Sequence, residues 1–175
     1  MGRMHSTDLT PATFGPAGDR WVLKYVVDLP VSRWDAWIAV TTRDGLGAWF
    51  PARVLGEWTP GRELTFTFDD EDDPTYGEVV DVDSGRQLAF TWETDSLRLS
   101  LEEYDAGTRL TFAASLGSRG RGARDGAGWH CCLAALRESV GGYVEDADKD
   151  AAGLFVMYAE RFGPEGASEH PPAPE

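Results

Sequence analysis

Few side chains in this sequence could move a proton or hold a metal, and the most suggestive of them are consecutive: His130, Cys131 and Cys132. A base inside a pocket is most often a histidine or a carboxylate. His130 lies well inside the chain, whereas His5 and His170 lie near its ends, so His130 is a candidate proton carrier. It sits about 100° around a helix from Trp129, and if Trp129 faces inward, His130 is expected at a surface or an edge. Glu57 and Glu78 are flanked by apolar positions in strand-like segments. Glu78 is retained as the second candidate, although a slip of one residue in register would turn it to the other face.

Three consecutive helical residues fan out over about 200°, so the His-Cys-Cys run cannot converge on one ion and no metal site is expected there. Adjacent cysteines on a helix cannot reach disulfide geometry. Both are expected as reduced thiols, which suits the cytoplasm, with Cys132 acting as a small apolar wall residue. Gly117-Ser118-Arg119-Gly120-Arg121-Gly122 stands between a strand and a helix, the setting of a phosphate cradle, but lacks the Lys-Ser/Thr of a P-loop. It reads instead as a mobile rim with Arg119, Arg121 and Arg124 solvated, with a role in drawing an anionic ligand to the mouth kept open. The acid run 69–73 lacks the glycine and ligand spacing of a calcium loop and reads as a solvated hairpin.

The strongest pattern is aromatic. Trp49, Phe50, Phe66, Phe68, Phe90, Trp92, Phe112 and Trp129 fall where one interior could gather them. Leu99, Cys132, Leu133 and Leu136 complete the candidate ligand-binding set. Such side chains build ordinary cores, and they also wall ligand pockets.

These residues need elements to carry them. Residues 21–28 alternate and predict a first strand. Pro30 suits the first turn of a helix bearing Val31, Trp34, Trp37, Ile38 and Val40, and a second short helix is predicted near 44–49. A meander follows, with apolar alternation at Leu64/Phe66/Phe68, Leu88/Phe90/Trp92, Leu97/Leu99/Leu101 and Leu110/Phe112/Ala114 and further strands at 54–58 and 76–82. One apolar face per strand is the mark of an antiparallel sheet covered on one side. Trp129, Cys132, Leu133, Leu136, Val140 and Tyr143 then mark one face of a long helix over about 126–146, weakened near Gly141-Gly142. Leu154, Phe155, Tyr158 and Phe162 predict a shorter amphipathic segment. Residues 1–18 read as a flexible leader, 19–162 as one domain, and 163–175 as a disordered Pro-rich tail.

The expected fold is therefore α+β: a curved antiparallel sheet of about six to seven strands wrapped around a long C-terminal helix, with two short helices after the first strand. At 175 residues, one such domain buries roughly 70% of its unfolded surface. A net charge of −14 disfavours nucleic acid and anionic membranes. No apolar run approaches the roughly 20 residues of a membrane span, and 1–13 lack the apolar stretch of a secretory signal. Met1-Gly2 through Ser6 fit the loose myristoylation pattern. The Ala-, Gly- and Arg-rich composition resembles that of a high-GC bacterium, where that modification is not expected.

Leu29-Pro30-Val31-Ser32-Arg33, Trp37, Thr41, Leu46 and Trp49-Phe50 open a pattern that continues with Pro60-Gly61, Gly77-Glu78-Val79, Leu88-Ala89-Phe90-Thr91-Trp92, Thr108-Arg109-Leu110-Thr111-Phe112 and Gly128-Trp129. Over about 20–148 this ordered set resembles the START-like (SRPBCC) superfamily, in particular the bacterial branch related to the activator of the 90-kilodalton heat-shock-protein ATPase. The resemblance implies a helix-grip fold with a deep pocket between sheet and helix, binding a small hydrophobic or aromatic molecule such as a lipid or polyketide; no cofactor is expected. Two alternatives stay open: a polyketide cyclase or dehydratase, for which His130 or Glu78 would carry the proton, and a chaperone-associated protein-interaction module; a homodimer or a chaperone partner is the candidate association. The eukaryotic co-chaperone carries an additional N-terminal domain where this sequence has a short leader. Binding without turnover is the favoured expectation, because no nucleophile, base and orienting group stand together.

Overall fold

The computed structural model describes residues 9–69 and 73–170. The myristoylation-like start (1–6), the centre of the acid run (70–72) and the last tail residues (171–175) lie outside the described residues. The chain runs β1 (Thr13–Ala17), β2 (Arg20–Leu29), α1 (Arg33–Thr41), α2 (Arg43–Gly47), β3 (Arg53–Leu55), β4 (Glu63–Thr67), β5 (Thr75–Asp83), β6 (Gln87–Trp92), β7 (Asp95–Tyr104), β8 (Gly107–Leu116), α3 (Gly122–Ser139) and α4 (Ala151–Phe162).

The eight strands form one antiparallel sheet in the order β1-β2-β8-β7-β6-β5-β4-β3. After β2 the chain leaves through α1 and α2 to the far edge, then returns by hairpins until β8 pairs with β2. Tyr25 stands opposite Phe112 and Val27 opposite Leu110, while Leu99 also faces Phe112. These alternating positions are all buried, so period-two patterning fixes which face the sheet turns inward.

Helix boundaries follow the capping groups. Ser32 caps α1, its hydroxyl accepting from the Asp35 N–H at 3.1 Å, so the helix starts after Pro30 rather than on it. Thr42 caps α2 in the same way, accepting from Gly45 N–H at 3.0 Å. The helix α3 stops at Ser139, short of the expected 146. Gly141 takes φ +89°, and Gly142 N–H donates to the Arg137 carbonyl at 2.8 Å. This glycine stop satisfies the terminal carbonyls. Tyr143, expected on the inward face, is consequently 60% exposed.

Two further expectations change. Residues 13–17 are an edge strand rather than part of a loose leader, giving eight strands in place of six or seven. Pro16 is tolerated because the strand lies at the sheet edge. Phe14 anchors the strand, packing 5.1 Å from Trp21 and 4.8 Å from Phe162. The tail is ordered through 170: Glu169 N–H donates to the Gly120 carbonyl at 3.0 Å, and its carboxylate accepts from the Ser118 hydroxyl at 2.7 Å.

The helix α3 is buried on two sides. Trp129 meets the sheet at Phe112, 4.8 Å between ring centres, and Leu133 and Leu136 are fully enclosed. A second row, Ala123, Gly126, Ala127, His130 and Ala134, is also buried. Here α4 packs close: a Cβ at Gly126 would stand 3.4 Å from Tyr158.

Candidate functional site

Phe50 decides where open space remains. It follows α2 into the centre of the fold, with ring centres 6.1 Å from Phe66, 6.2 Å from Phe90, 5.4 Å from Trp92 and 5.7 Å from Trp129. The aromatic set does converge, as expected, but it fills the middle instead of lining a deep hollow. Phe66, Phe90, Leu99, Phe112, Leu133 and Leu136 are core. Trp49 is buried against α1, its indole N–H donating to the Ala39 carbonyl at 3.0 Å.

The space left over opens at the mouth between sheet and α3. A cleft of about 560 Å³ is walled by Pro51, Phe68, Trp92, Gly128, Trp129 and Cys132, with Thr75, Glu93, Asp95, Arg121, Arg124 and Asp125 at its rim. Trp92 is pinned by its indole N–H on Thr75 Oγ1 at 2.8 Å and stacks with Phe66 at 4.8 Å and Phe68 at 5.9 Å. Asp125, Gly128, Trp129 and Cys132 follow one another at helical spacing, which puts them all on the cleft side of α3. A second hollow of about 560 Å³ lies beyond Pro51 and Phe68, walled largely by α2 and β3 residues that include Arg43, Asp44, Arg53 and Asp69. The first is the better ligand site, because its walls are tryptophan and its floor is the aromatic core.

The rim is a salt-bridge network. Arg121 grips Asp95 with both terminal nitrogens, at 2.8 and 2.6 Å, and also reaches Asp125 at 2.6 Å. Arg124 Nε donates to the other Asp125 oxygen at 3.0 Å. Burial pushes the Asp125 carboxyl above its ordinary range, against the opposing pull of Arg121 and Arg124. The hydrogen bond to Asp95 holds Arg121 firmly protonated. Arg119 points elsewhere, onto Glu165 at 2.5 Å and over the Trp21 ring. The arginines expected in solvent are therefore all engaged by carboxylates. Glu93 reaches the rim from the two-residue turn between β6 and β7, where its φ of +53° is a conformation few side chains adopt. Arg20 braces that turn through the Thr94 carbonyl at 2.6 Å.

Neither expected proton carrier faces the cleft. Glu78 stands exposed on the outer face of β5, opposite Glu63. A bulge between Val79 and Asp81 shifts the register just beyond it. His130, expected at a surface or edge, is 1% exposed. Its Nε2 lies 2.7 Å from Asp148 Oδ1 and its Nδ1 2.8 Å from the Tyr158 hydroxyl. Asp148 also accepts from Leu9 N–H, and Tyr158 from Ala12 N–H at 2.9 Å. A carboxylate can only accept, so Nε2 carries the proton and Nδ1 accepts from Tyr158. Burial lowers the His130 pKa, with Asp148 opposing it. This sealed network ties α3, α4 and the N-terminal segment together. The sequence signal for it is the small-residue row on α3, with a lone histidine among glycine and alanines.

The cysteines are free thiols. Burial pushes Cys132 up to about 12, so it enters the cleft as a neutral wall group and not as a nucleophile. Among the described residues no group of acidic, histidine or cysteine side chains could hold a metal ion. No described helix is long and apolar enough to cross a membrane.

A curved sheet closed by one long helix, with a cleft at their junction, defines a helix-grip protein. The chain belongs to the family of Activator of Hsp90 ATPase homolog 1-like proteins, which matches residues 30–141. The conserved protein EF2215 from Enterococcus faecalis is similar in structure, with TM-score 0.71 at 23% identity over 86% of this chain and 89% of that one. CalU16 from Micromonospora echinospora matches with TM-score 0.68 at 16% identity, over 86% and 95%. The Aha1 dimer from Colwellia psychrerythraea matches with TM-score 0.59 at 18% identity, over 68% and 95%. At these identities the likeness shows the fold alone. No curated protein matches the chain.

Proposed function

We propose that the protein binds a small, largely apolar or aromatic molecule in the cleft between the sheet mouth and α3, without chemical turnover. The observation that carries this reading is the cleft itself. Trp92, Trp129, Phe68 and Cys132 wall a space of about 560 Å³, within the usual range for small-molecule sites. A ligand burying about 200 Å² of apolar surface there gains about 5 kcal/mol before the cost of immobilisation. Turnover is disfavoured because His130 is sealed away, Glu78 faces outward and the Cys132 thiol stays neutral.

Gly128 supplies a clean test. It lines the cleft, and a Cβ there meets nothing within 4 Å. Gly128→Phe should fill the cleft without touching the core. Binding of a neutral apolar dye such as Nile red, read by tryptophan quenching and by the rise in Tm, should fall at least tenfold while the variant remains folded. Equal binding by the variant and the original protein would place the ligand elsewhere.

A further inference from the structure

The balance of charge at the cleft rim narrows the ligand class. Resting on the binding reading above, we propose that the ligand of this cleft joins its apolar body to a protonated amine. Three carboxylates, Glu93, Asp95 and Asp125, line the cleft against two guanidinium groups, Arg121 and Arg124. Arg121 is committed, its terminal nitrogens held by both aspartates, while Arg124 gives its Nε to Asp125 with Glu169 a further 3.9 Å contact. Glu93 pairs with no cation among the described residues. An anionic ligand would have to break the charge-assisted hydrogen bonds of 2.6–2.8 Å that hold Arg121 before that arginine could serve it. A cation breaks none.

Three further features act in the same direction. Asp125 stands largely out of water at the foot of the aromatic wall, and a cation seated beside it would offset the cost of burying its charge. The tryptophan walls attract an ammonium group within about 6 Å of a ring face. The chain as a whole carries −14, which draws cations toward it and repels anions. The ligand is then a compact aromatic or apolar amine, with its ring system against Trp92, Trp129 and Phe68 and its ammonium toward Glu93 and Asp125.

A matched series sharing one ring system tests this on the unmodified protein. The probes are 2-(2-naphthyl)ethylamine, neutral 2-ethylnaphthalene and 2-naphthylacetic acid, titrated at low ionic strength against tryptophan fluorescence. The amine should bind about tenfold tighter than the neutral compound, and the acid weaker than both. Salt near 0.5 M should close most of that gap. Glu93→Gln, at an exposed turn, should weaken the amine severalfold and leave the neutral compound unchanged. If the neutral compound or the acid binds as tightly as the amine, this inference fails while the reading of the cleft as a binding site stands. If none of the three binds, the binding reading itself fails and takes this inference with it.

Discussion

Asp125 and His130 both project from α3, one toward the cleft and the other toward α4, and each sits in a network that joins a carboxylate to a nitrogen base. Around Asp125 the partners remain partly wet: Asp95 is 17% exposed, Arg121 21% and Arg124 32%. Around His130 the imidazole is 1% exposed and Asp148 7%, and every acceptor is matched by a donor from a distant segment. A network that touches water can lose a bond and regain it from solvent or from a ligand, so it suits recognition. A sealed one has no substitute partner, so it fixes which segments pack together. The helix thus separates binding from architecture on two faces.

The largest effect should come from breaking the sealed side. His130→Ala leaves the Asp148 carboxylate buried with one N–H donor, from Leu9, in place of two. It also strands the Tyr158 hydroxyl proton. Loss of stability should be about 3 kcal/mol, read from the urea midpoint, with faster amide exchange at Leu9 and Ala12. Asp95→Asn on the wet side should cost about 1 kcal/mol or less, because Arg121 keeps Asp125. Equal costs at the two positions would erase the distinction between the faces.

Acid sharpens the contrast, because the two faces respond with opposite sign. Burial lowers the folded pKa of His130 below its ordinary 6.5. As pH falls from about 6.5 to that lowered value, the unfolded chain takes up a proton that the folded chain refuses, and stability is lost. Asp125 is raised above 3.8. Between 3.8 and its raised value the folded chain holds the extra proton, so in that window Asp125 contributes stability as pH falls. Each slope is at most about 1.4 kcal/mol per pH unit. His130→Gln should flatten the first slope and Asp125→Asn the second, in pH-resolved denaturant melts. A His130→Gln profile identical to the original above pH 5 would count against the sealed network.

The same contrast explains what could be read from residue order alone. Alternation at Leu97/Leu99/Leu101 and Leu110/Phe112/Ala114 exposes the sheet, because large apolar side chains at period two have one physical meaning. The sheet-facing side of α3 is legible for the same reason, through Trp129, Leu133 and Leu136. Its other buried side is written in Ala123, Gly126, Ala127 and Ala134, residues whose burial leaves little hydrophobic trace, so His130 among them reads as surface. The edge strand at 13–17 has no alternation and gains its place from pairing with β2. The Glu93-Thr94 turn contains neither glycine nor asparagine despite its positive φ. Arg121–Asp125 is an i,i+4 pair, but Arg121–Asp95 and Arg119–Glu165 join residues remote in sequence, and no local pattern announces them. The filled centre depends on Phe50, whose direction is set by the turn after α2 and not by any periodicity.

The smallest effect is the most discriminating for the cleft. Gly128 lies within α3 and is exposed, in a position where glycine costs helix stability without serving a turn or a close approach. Glycine at Gly45 or Gly77 is needed, since a Cβ there would meet backbone at 2.6 or 1.8 Å. At Gly128 the space is open, and that space is the cleft. Gly128→Ala should therefore raise stability by about 1 kcal/mol, seen as a higher urea midpoint, while adding only a methyl group to a cleft of about 560 Å³ and leaving Nile red affinity within about twofold. Alanine and phenylalanine at this one position should then separate stability from binding. If alanine already abolishes binding, the ligand packs directly on the helix backbone at Gly128, and glycine is retained there for recognition at the expense of the helix.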